Sequence, residues 1–292
     1  MIISHKIAAL TATLTTALSL LAAPAMAFSV GPTNNAETLK NNLLGANTAG
    51  LSNFSVSLTG NSAAFGTFTN DPFGLKSGVV LSTGKVADIR GKNRKDNFTI
   101  ENSDLSTDFG PEGEEGDLTQ LNLSFFANST VEKLVFQYVF ASEEFPEFGN
   151  SEFNDDFELL LNGTNLAKLS DGKTVTINNL VPDPYNRSTY HPDYIDNPSL
   201  TGIAANIVKL DGFTKILGFE GLLKQNQTNV LSIRIKDVGD GKLDSAVFIK
   251  GGSVETVQAE PVPEPMTVGG LMAGGAMLAA GRKLRNRRGG SN

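Results

Sequence analysis

Two stretches of the chain concentrate carboxylate side chains next to apolar segments that are predicted to be strands. The first runs from Phe140 to Asp156 and the second from Asp237 to Asp244. Hard oxygen ligands in turns at strand ends suit calcium, which takes about 6–8 oxygens, and a cation would relieve the repulsion between adjacent carboxylates. Neither stretch has the spacing of an EF-hand loop. The residues predicted as calcium ligands are Glu143, Glu144, Asp155, Asp156, Asp237, Asp240 and Asp244.

The same carboxylates allow other interpretations. They can cap turns through Asx hydrogen bonds or remain solvated, and two carboxylates at a suitable separation can hydrolyse a glycosidic bond. A third acidic segment, residues 101–117, contains the run Glu112–Asp117, which is too charged to pack. This segment is predicted to be either a solvated loop or a further cation-binding loop.

Other catalytic groups are scarce. The chain has no cysteine, which excludes thiol catalysis, zinc–thiolate sites and disulfides. His191 is the one histidine beyond the N-terminal segment, and we expect it to be an exposed bystander in a loop. The sequence has no glycine-flanked serine elbow and no phosphate-binding glycine loop. We therefore expect no enzymatic activity and no catalytic residues.

A proline-rich segment at residues 181–200 offers aromatic rings instead. Its four prolines indicate a long surface loop. Tyrosine combines an apolar ring face with a polar tip, so the rings could stack on a sugar. The alternative is that they pack locally. The candidate ligand-binding residues are Tyr185, Tyr190 and Tyr194.

The charge of the body excludes one class of partner. Six of the 24 basic residues lie in the two ends of the chain, so the body up to Pro265 holds 18 basic and 31 acidic residues and has a net charge of −13. Such a surface repels nucleic acid and anionic lipid. It is compatible with divalent cations and with solubility outside the cytoplasm.

The elements that position these residues are mainly strands. One short helix is predicted near the start, with Asn35 as its cap and Leu39, Leu43 and Leu44 on one face. Asn162-Gly163 indicates a hairpin turn, with Thr174–Ile177 as the returning strand. Short apolar runs separated by turn residues predict a mainly β, antiparallel sandwich or jelly roll over residues 28–258. The predicted strands lie within 54–58, 66–68, 78–84, 121–125, 134–140, 157–161, 230–236 and 246–249.

Residues 1–27 have the features of a secretory signal peptide. Lys6 is followed by a long uncharged run, and the segment ends with Ala25-Met26-Ala27. Small residues at Ala25 and Ala27 fit cleavage by signal peptidase after export by the secretion machinery. The alternative is an uncleaved N-terminal membrane anchor.

The C-terminal residues 259–292 have a different composition from the body. A stiff proline spacer at 259–265 precedes an uncharged segment, 266–281, and a basic end, 282–292. Sixteen helical residues span about 24 Å, which is short of the roughly 30 Å of bilayer hydrocarbon. The adjacent basic residues nevertheless favour a transmembrane helix whose end stays in the cytoplasm. The alternative is a flexible glycine-rich tail.

This tail resembles the PEP-CTERM sorting signal of exported bacterial proteins. The resemblance rests on Pro263-Glu264-Pro265, the short apolar segment and the arginine-rich end. It implies that an exosortase, a membrane-embedded processing enzyme, recognises Pro263, Glu264 and Pro265. The body would then be released or re-anchored at the cell surface.

The body resembles the choice-of-anchor L domain, a module of exported bacterial surface proteins. The resemblance covers about Leu39 to Ser253 and rests on three stretches: Ser77–Gly84, Tyr138–Phe148 with Phe153–Asp155, and Asp237–Asp240 with Leu243–Ile249. It implies a surface module and no particular reaction. We therefore expect a structural or adhesive protein of the cell surface or extracellular matrix. The alternatives are a carbohydrate-binding module, which would take exopolysaccharide as its partner, and a polysaccharide hydrolase.

Overall fold

The computed structural model describes residues 27–95, 104–110 and 117–259. The predicted signal peptide up to Met26 and the predicted sorting tail from Glu260 onward lie outside the described residues. Within the described ranges, no helix is both long enough and apolar enough to cross a membrane.

The predicted mainly β, antiparallel architecture is confirmed. The described residues contain two α-helices, α1 at Ala36–Leu43 and α2 at Ile177–Leu180. The strands are β1 Ser29–Pro32, β2 Leu51–Thr59, β3 Phe65–Thr69, β4 Ser77–Ser82, β5 Leu118–Ala127, β6 Val131–Ser142, β7 Asp156–Leu161, β8 Thr164–Asn165, β9 Tyr194–Asp196, β10 Gly212–Thr214, β11 Leu217–Leu222, β12 Gln227–Lys236, β13 Ser245–Lys250 and β14 Glu255–Gln258.

The strands form two antiparallel sheets. The smaller sheet has the order β2-β5-β12-β7-β8, and the larger sheet has the order β1-β3-β4-β13-β6-β10-β9, with β11 and β14 also paired to β6. β6 is the centre of the larger sheet because it has partners on both sides. For example, Tyr138 pairs with Leu217 of β11 and with Ile249 of β13.

The larger sheet is buried on both faces. One face packs against the smaller sheet in a first hydrophobic core, to which β13 contributes Val247 and Ile249. The opposite face carries a second core, in which Ala246 and Phe248 of the same strand meet residues of the covering loops. Alternate residues of β13 therefore enter different cores, which explains why this strand is apolar without alternation.

The N-terminal helix forms with the predicted cap, but it ends at Leu43, so Leu44 lies just beyond it in extended conformation. The side chain of Asn35 accepts a hydrogen bond from the Thr38 amide at 2.8 Å and so caps α1. Leu39 and Leu43, four residues apart, both enter the first core. The helix thereby closes one part of the sandwich next to β2 and β4.

The hairpin after β7 differs from the prediction. Asn162 and Gly163 do form the turn, both with positive φ, which fits their types. The returning strand, however, is the two-residue β8, and the prediction of a strand at Thr174–Ile177 was wrong. Only isolated bridges occur there, and Thr176 instead caps α2 by accepting a hydrogen bond from Asn179. A threonine before a helical turn is an N-cap signal that competes with its strand propensity.

The second core yields a stability prediction. Phe248 is fully buried and contacts Phe68 edge to face, with ring centroids 5.3 Å apart. We expect Phe248→Ala to lower the free energy of unfolding by about 3–5 kcal/mol, because it leaves a cavity that the two covering layers cannot fill. Leu222→Ala, at an exposed strand position, should change it by less than about 0.5 kcal/mol. Chemical denaturation of both variants measures the difference, and equal effects would contradict a packed second core.

Candidate functional site

The two predicted carboxylate stretches meet at one end of the sandwich. The crossover from β6 to β7 and the crossover from β12 to β13 both connect the smaller and the larger sheet there. Ser142 at the end of β6 pairs with Ser245 at the start of β13, and Lys236 at the end of β12 pairs with Asp156 at the start of β7. Five buried carboxylates come together in these crossovers. We call Glu143, Glu144, Asp155, Asp237 and Asp244 the acidic cluster.

Burial of the acidic cluster is almost complete. Glu144 is 1% exposed, Asp155 is not exposed at all, and the other three are at most 4% exposed. None of the five forms an ion pair with a lysine, arginine or histidine among the described residues. Buried carboxylates are normally paired or hydrogen-bonded, so the neutralisation of these groups requires an explanation.

Backbone amides hold one oxygen of three cluster members. Glu143 Oε1 accepts hydrogen bonds from the amides of Asp104 (2.5 Å) and Leu105 (3.3 Å). Asp244 Oδ1 accepts one from the amide of Thr107 at 2.8 Å. Asp237 Oδ1 accepts one from the amide within its own turn, at 3.2 Å. The second oxygen of each of these carboxylates is buried and has no hydrogen-bond partner in the described structure.

The two remaining members are opposites in their hydrogen bonding. Both oxygens of Asp155 are used, because Oδ1 accepts from the Val238 amide at 2.9 Å and Oδ2 accepts from the Ser245 hydroxyl at 2.6 Å. Asp155 thus ties the two crossovers together. Neither oxygen of Glu144 accepts a hydrogen bond of normal geometry from the described residues, although both are buried and the backbone amide of Asp155 is near enough to favour the ionised form.

A glycine makes room for this arrangement. Gly84 follows β4, and a Cβ atom there would collide with the carboxylate of Asp244. The carboxylate therefore rests directly on the backbone at the end of the Gly78–Gly84 stretch. This contact gives that glycine a role at the acidic cluster as well as in a turn.

Burial dominates the electrostatics of the cluster. It is the main cause that raises the pKa of Asp244 to about 7, with the charges of Asp117 and Asp88 adding to it. Burial, followed by the charges of Asp155 and Asp237, also raises the pKa of Glu144 well above its usual range. The pKa values of the other three members are raised too, again chiefly by burial. Without a cation, several of these groups keep their protons near neutral pH.

Two predicted calcium ligands are not among the five buried members of the cluster. Asp240 is a half-buried residue at its rim, and its charge acts on Glu144 and Asp237. Asp156, the first residue of β7, is also only partly buried, although its Oδ1 is buried without a partner among the described residues. Its charge acts on Asp155, and it is itself influenced by the charges of Glu158, Arg234 and Lys236. Within the described ranges, no group of three or more aspartate, glutamate or histidine side chains is already arranged to hold a metal ion.

The sequence prediction missed the contribution of the segment before β5. Asp117 is buried beside the cluster, and its Oδ2 accepts a hydrogen bond from the amide of Phe109 at 2.7 Å. The amides of residues 104–107 supply the donors to Glu143 and Asp244. The acidic composition of residues 101–117 had indicated a cation-binding loop as one alternative, but composition could not show that its backbone is the donor.

The three candidate sugar-binding tyrosines do not form one exposed surface. Tyr185 is 83% exposed. Tyr194 is buried and packs against Phe145, with ring centroids 4.8 Å apart. Tyr190 stands edge to face against Tyr194 and donates its hydroxyl hydrogen to the Pro184 carbonyl at 2.9 Å. Local packing, the alternative considered from the sequence, accounts for two of the three rings.

His191 is buried, so the prediction of an exposed histidine was wrong. Its Nδ1 accepts a hydrogen bond from the amide of Asp193 at 3.1 Å, and its Nε2 lies 3.4 Å from a carboxylate oxygen of Asp171. The ring therefore braces the segment between α2 and β9, away from the acidic cluster.

Comparison with known proteins gives one match. A family model for the choice-of-anchor L domain matches residues 29–255, which includes every member of the acidic cluster. Neither the curated proteins nor the solved structures contain a match to the chain.

The raised pKa values predict how the metal-free protein responds to pH. When a chelator has removed metal ions, Asp244 in the folded state holds a proton that it releases in the unfolded state above the ordinary aspartate pKa of 3.8. The stabilisation is complete below about pH 4 and is lost as pH rises through the folded value near 7. We expect the melting temperature in chelator to fall by roughly 5 °C between about pH 5 and pH 8.

Asp244→Asn is the control for this measurement, because asparagine has no proton to lose at this position. The variant should show a shallower fall than the wild type in calorimetry over the same pH range. Parallel curves for the two proteins would contradict a protonated Asp244 in the metal-free fold.

Proposed function

Because the chain belongs to the choice-of-anchor L family, which indicates an exported, surface-associated protein, we propose that it is a structural or adhesive module of the bacterial cell surface or extracellular matrix. The observation that carries this proposal is the family match over residues 29–255. In this role the protein contributes a rigid folded body rather than a reaction, and we propose that it is not an enzyme.

The architecture supports a load-resistant module. β12 pairs with β5 over ten residues and with β7 over six, so the centre of the smaller sheet is a continuous antiparallel ladder. The larger sheet is clamped between two hydrophobic cores. Such a body keeps its shape outside the cell without disulfides, which a chain lacking cysteine cannot form.

The start of the body fits export with removal of the signal peptide. Cleavage after Ala27 would leave Phe28 as the first residue, and Phe28 is 4% exposed within the second core. Ser29 to Pro32 then pair with β3. The proposed mature N-terminus would thus be held by packing and by a strand, which is compatible with cleavage after Ala27.

The route to the surface is the second part of the proposal. The secretion machinery would export the chain, signal peptidase would cleave after Ala27, and the segment 266–281 would hold the C-terminus in the membrane. An exosortase would then recognise Pro263-Glu264-Pro265.

The body's net charge of −13 makes nucleic acid an unsuitable partner. Exopolysaccharide remains the proposed matrix partner, with Tyr185 as the tyrosine of its loop that solvent reaches.

The sorting motif gives a direct test. In a host that has the exosortase, we expect replacement of Pro263, Glu264 and Pro265 by alanine to stop C-terminal processing, because the enzyme would lose the residues it recognises. The variant should accumulate with an uncut tail in the membrane fraction, as measured by mass spectrometry of the C-terminal peptide. Pro261→Ala, in the same spacer, is the control and should be processed normally. Normal processing and surface display of the triple variant would contradict the proposed route.

A further inference from the structure

We propose that the acidic cluster is a calcium-binding site. The ligands are the buried oxygens that have no hydrogen-bond partner among the described residues and that belong to four members of the cluster, Glu143, Glu144, Asp237 and Asp244. Asp71 and Asp156 each have one such oxygen too, but they are not members of the cluster. This inference concerns the folded body alone and does not depend on how the chain is sorted or anchored.

The first argument is that the two oxygens of each of three carboxylates have different surroundings. In Glu143, Asp237 and Asp244, one oxygen is fixed by a backbone amide while the other is buried and unpartnered. Amide donors orient a carboxylate and leave the second oxygen available for a cation. Asp71 shows this pattern in an isolated turn, because its Oδ1 accepts from the amides of Phe73 and Leu75 while its Oδ2 is buried without a partner among the described residues. The pattern therefore points to an ion only where several such carboxylates come together, as they do in the acidic cluster.

The second argument comes from Glu144, whose two oxygens are both buried and accept no hydrogen bond of normal geometry from the described residues. Protonation alone does not satisfy this side chain. A protonated carboxyl carries an O–H that needs an acceptor, and its carbonyl oxygen still needs a donor. The charges that act on Glu144 are those of Asp155, Asp237 and Asp240, and the group that favours its ionised form is the backbone amide of Asp155, so no basic side chain among the described residues neutralises it. A divalent cation satisfies several of these oxygens at once.

The donor set favours calcium over other metals. The ligands are all hard oxygens, the chain has no cysteine, and His191 lies in a different part of the fold, hydrogen-bonded to Asp193. Magnesium requires a near-ideal octahedron, whereas calcium accepts about 6–8 oxygens in irregular geometry. The described side chains are not already arranged as a group of three ligands, so the ion must draw them together, which a tolerant coordination sphere permits.

The placement of the ligands allows this movement. Glu143, Glu144, Asp237 and Asp244 all lie in the crossovers just outside strand ends, not in the ladders. Asp155 is not counted among the unpartnered ligands, because both its oxygens already join the crossovers. The side chains can therefore close on an ion while the paired strands keep their register.

The test measures binding and stability on the full chain in a mild detergent, stripped of metal with a chelator and titrated with calcium chloride. We expect at least one ion per chain, with a dissociation constant of roughly 1 mM or tighter. Calcium at several times that concentration should raise the melting temperature by about 3 °C or more, and magnesium at the same concentration should raise it less.

Two variants identify the site. Glu144→Gln keeps the shape of the side chain and mimics its protonated form, and Asp237→Asn does the same at a second ligand. Each should reduce calcium affinity by about tenfold or more and remove most of the calcium-induced rise in melting temperature. Asp71→Asn is the matched control. Asp71 also has one oxygen bound by an amide and one that is buried without a partner among the described residues, but it lies outside the acidic cluster, so this variant should bind calcium like the wild type.

Two results would overturn the proposal. A wild-type chain that binds no calcium and melts at the same temperature in calcium and in chelator would show that protons alone neutralise the cluster. A full calcium response in both Glu144→Gln and Asp237→Asn would place the ion elsewhere on this acidic body. If one variant does not fold, wild-type binding and the other variant still decide the question.

Discussion

The burial of five carboxyl groups without a basic partner is the constraint on which the arrangement of this fold depends. Ionised carboxylates in a low-dielectric interior are strongly unfavourable unless they are neutralised. The chain meets this constraint with structure drawn from distant parts of the sequence. Amides of residues 104–107 reach Glu143 and Asp244, the start of β13 supplies the Ser245 hydroxyl to Asp155, and Gly84 leaves space for a carboxylate. The two crossovers that join the sheets thereby close on each other at one end of the sandwich.

The second hydrophobic core is what holds the donor loop against this end. Leu105 is 2% exposed and belongs to that core, and its neighbours in the chain donate to Glu143 and Asp244. The carbonyl of Leu105 also accepts a hydrogen bond from the amide of Asp244. One apolar side chain thus anchors a polar loop whose amides face the acidic cluster. Packing on the outer face of the larger sheet and hydrogen bonding at its end are therefore parts of a single arrangement.

Local signals in the sequence predicted much of the fold, while tertiary signals were harder to recover. Asn35, the leucines of α1 and the Asn162-Gly163 turn are local features, and each formed as predicted. β10 was missed because it has only three residues, and β11 because two glycines, Gly218 and Gly221, interrupt its apolar pattern. Both pair with β6, so their burial depends on partners far away in the sequence. The same limit applies to the site. The clustering of Glu143, Glu144 and Asp155 with Asp237 and Asp244 follows from their positions at strand ends, but Asp156 shows that a neighbouring carboxylate can lie outside the cluster. The successive residues Glu143 and Glu144 both belong to the cluster, whereas of the successive residues Asp155 and Asp156 only the first does. Membership therefore depends on the local path of each crossover, which sequence position alone does not give.

The position of the acidic cluster relative to the chain exit links the site to the proposed role. β14, the last strand before the predicted tail, pairs with the beginning of β6, and Gln258 lies opposite Val131. The cluster begins just after Ser142 at the other end of the same strand. Eleven steps along an antiparallel strand correspond to roughly 35 Å, so the C-terminal exit and the carboxylates lie at opposite ends of the body. A body attached through its C-terminus therefore has its acidic end about 35 Å along β6 from the attachment point. Repulsion between carboxylates and anionic lipid falls off within about 8 Å at physiological ionic strength. The acidic end therefore lies away from the point of attachment, and a cation can neutralise the carboxylates there.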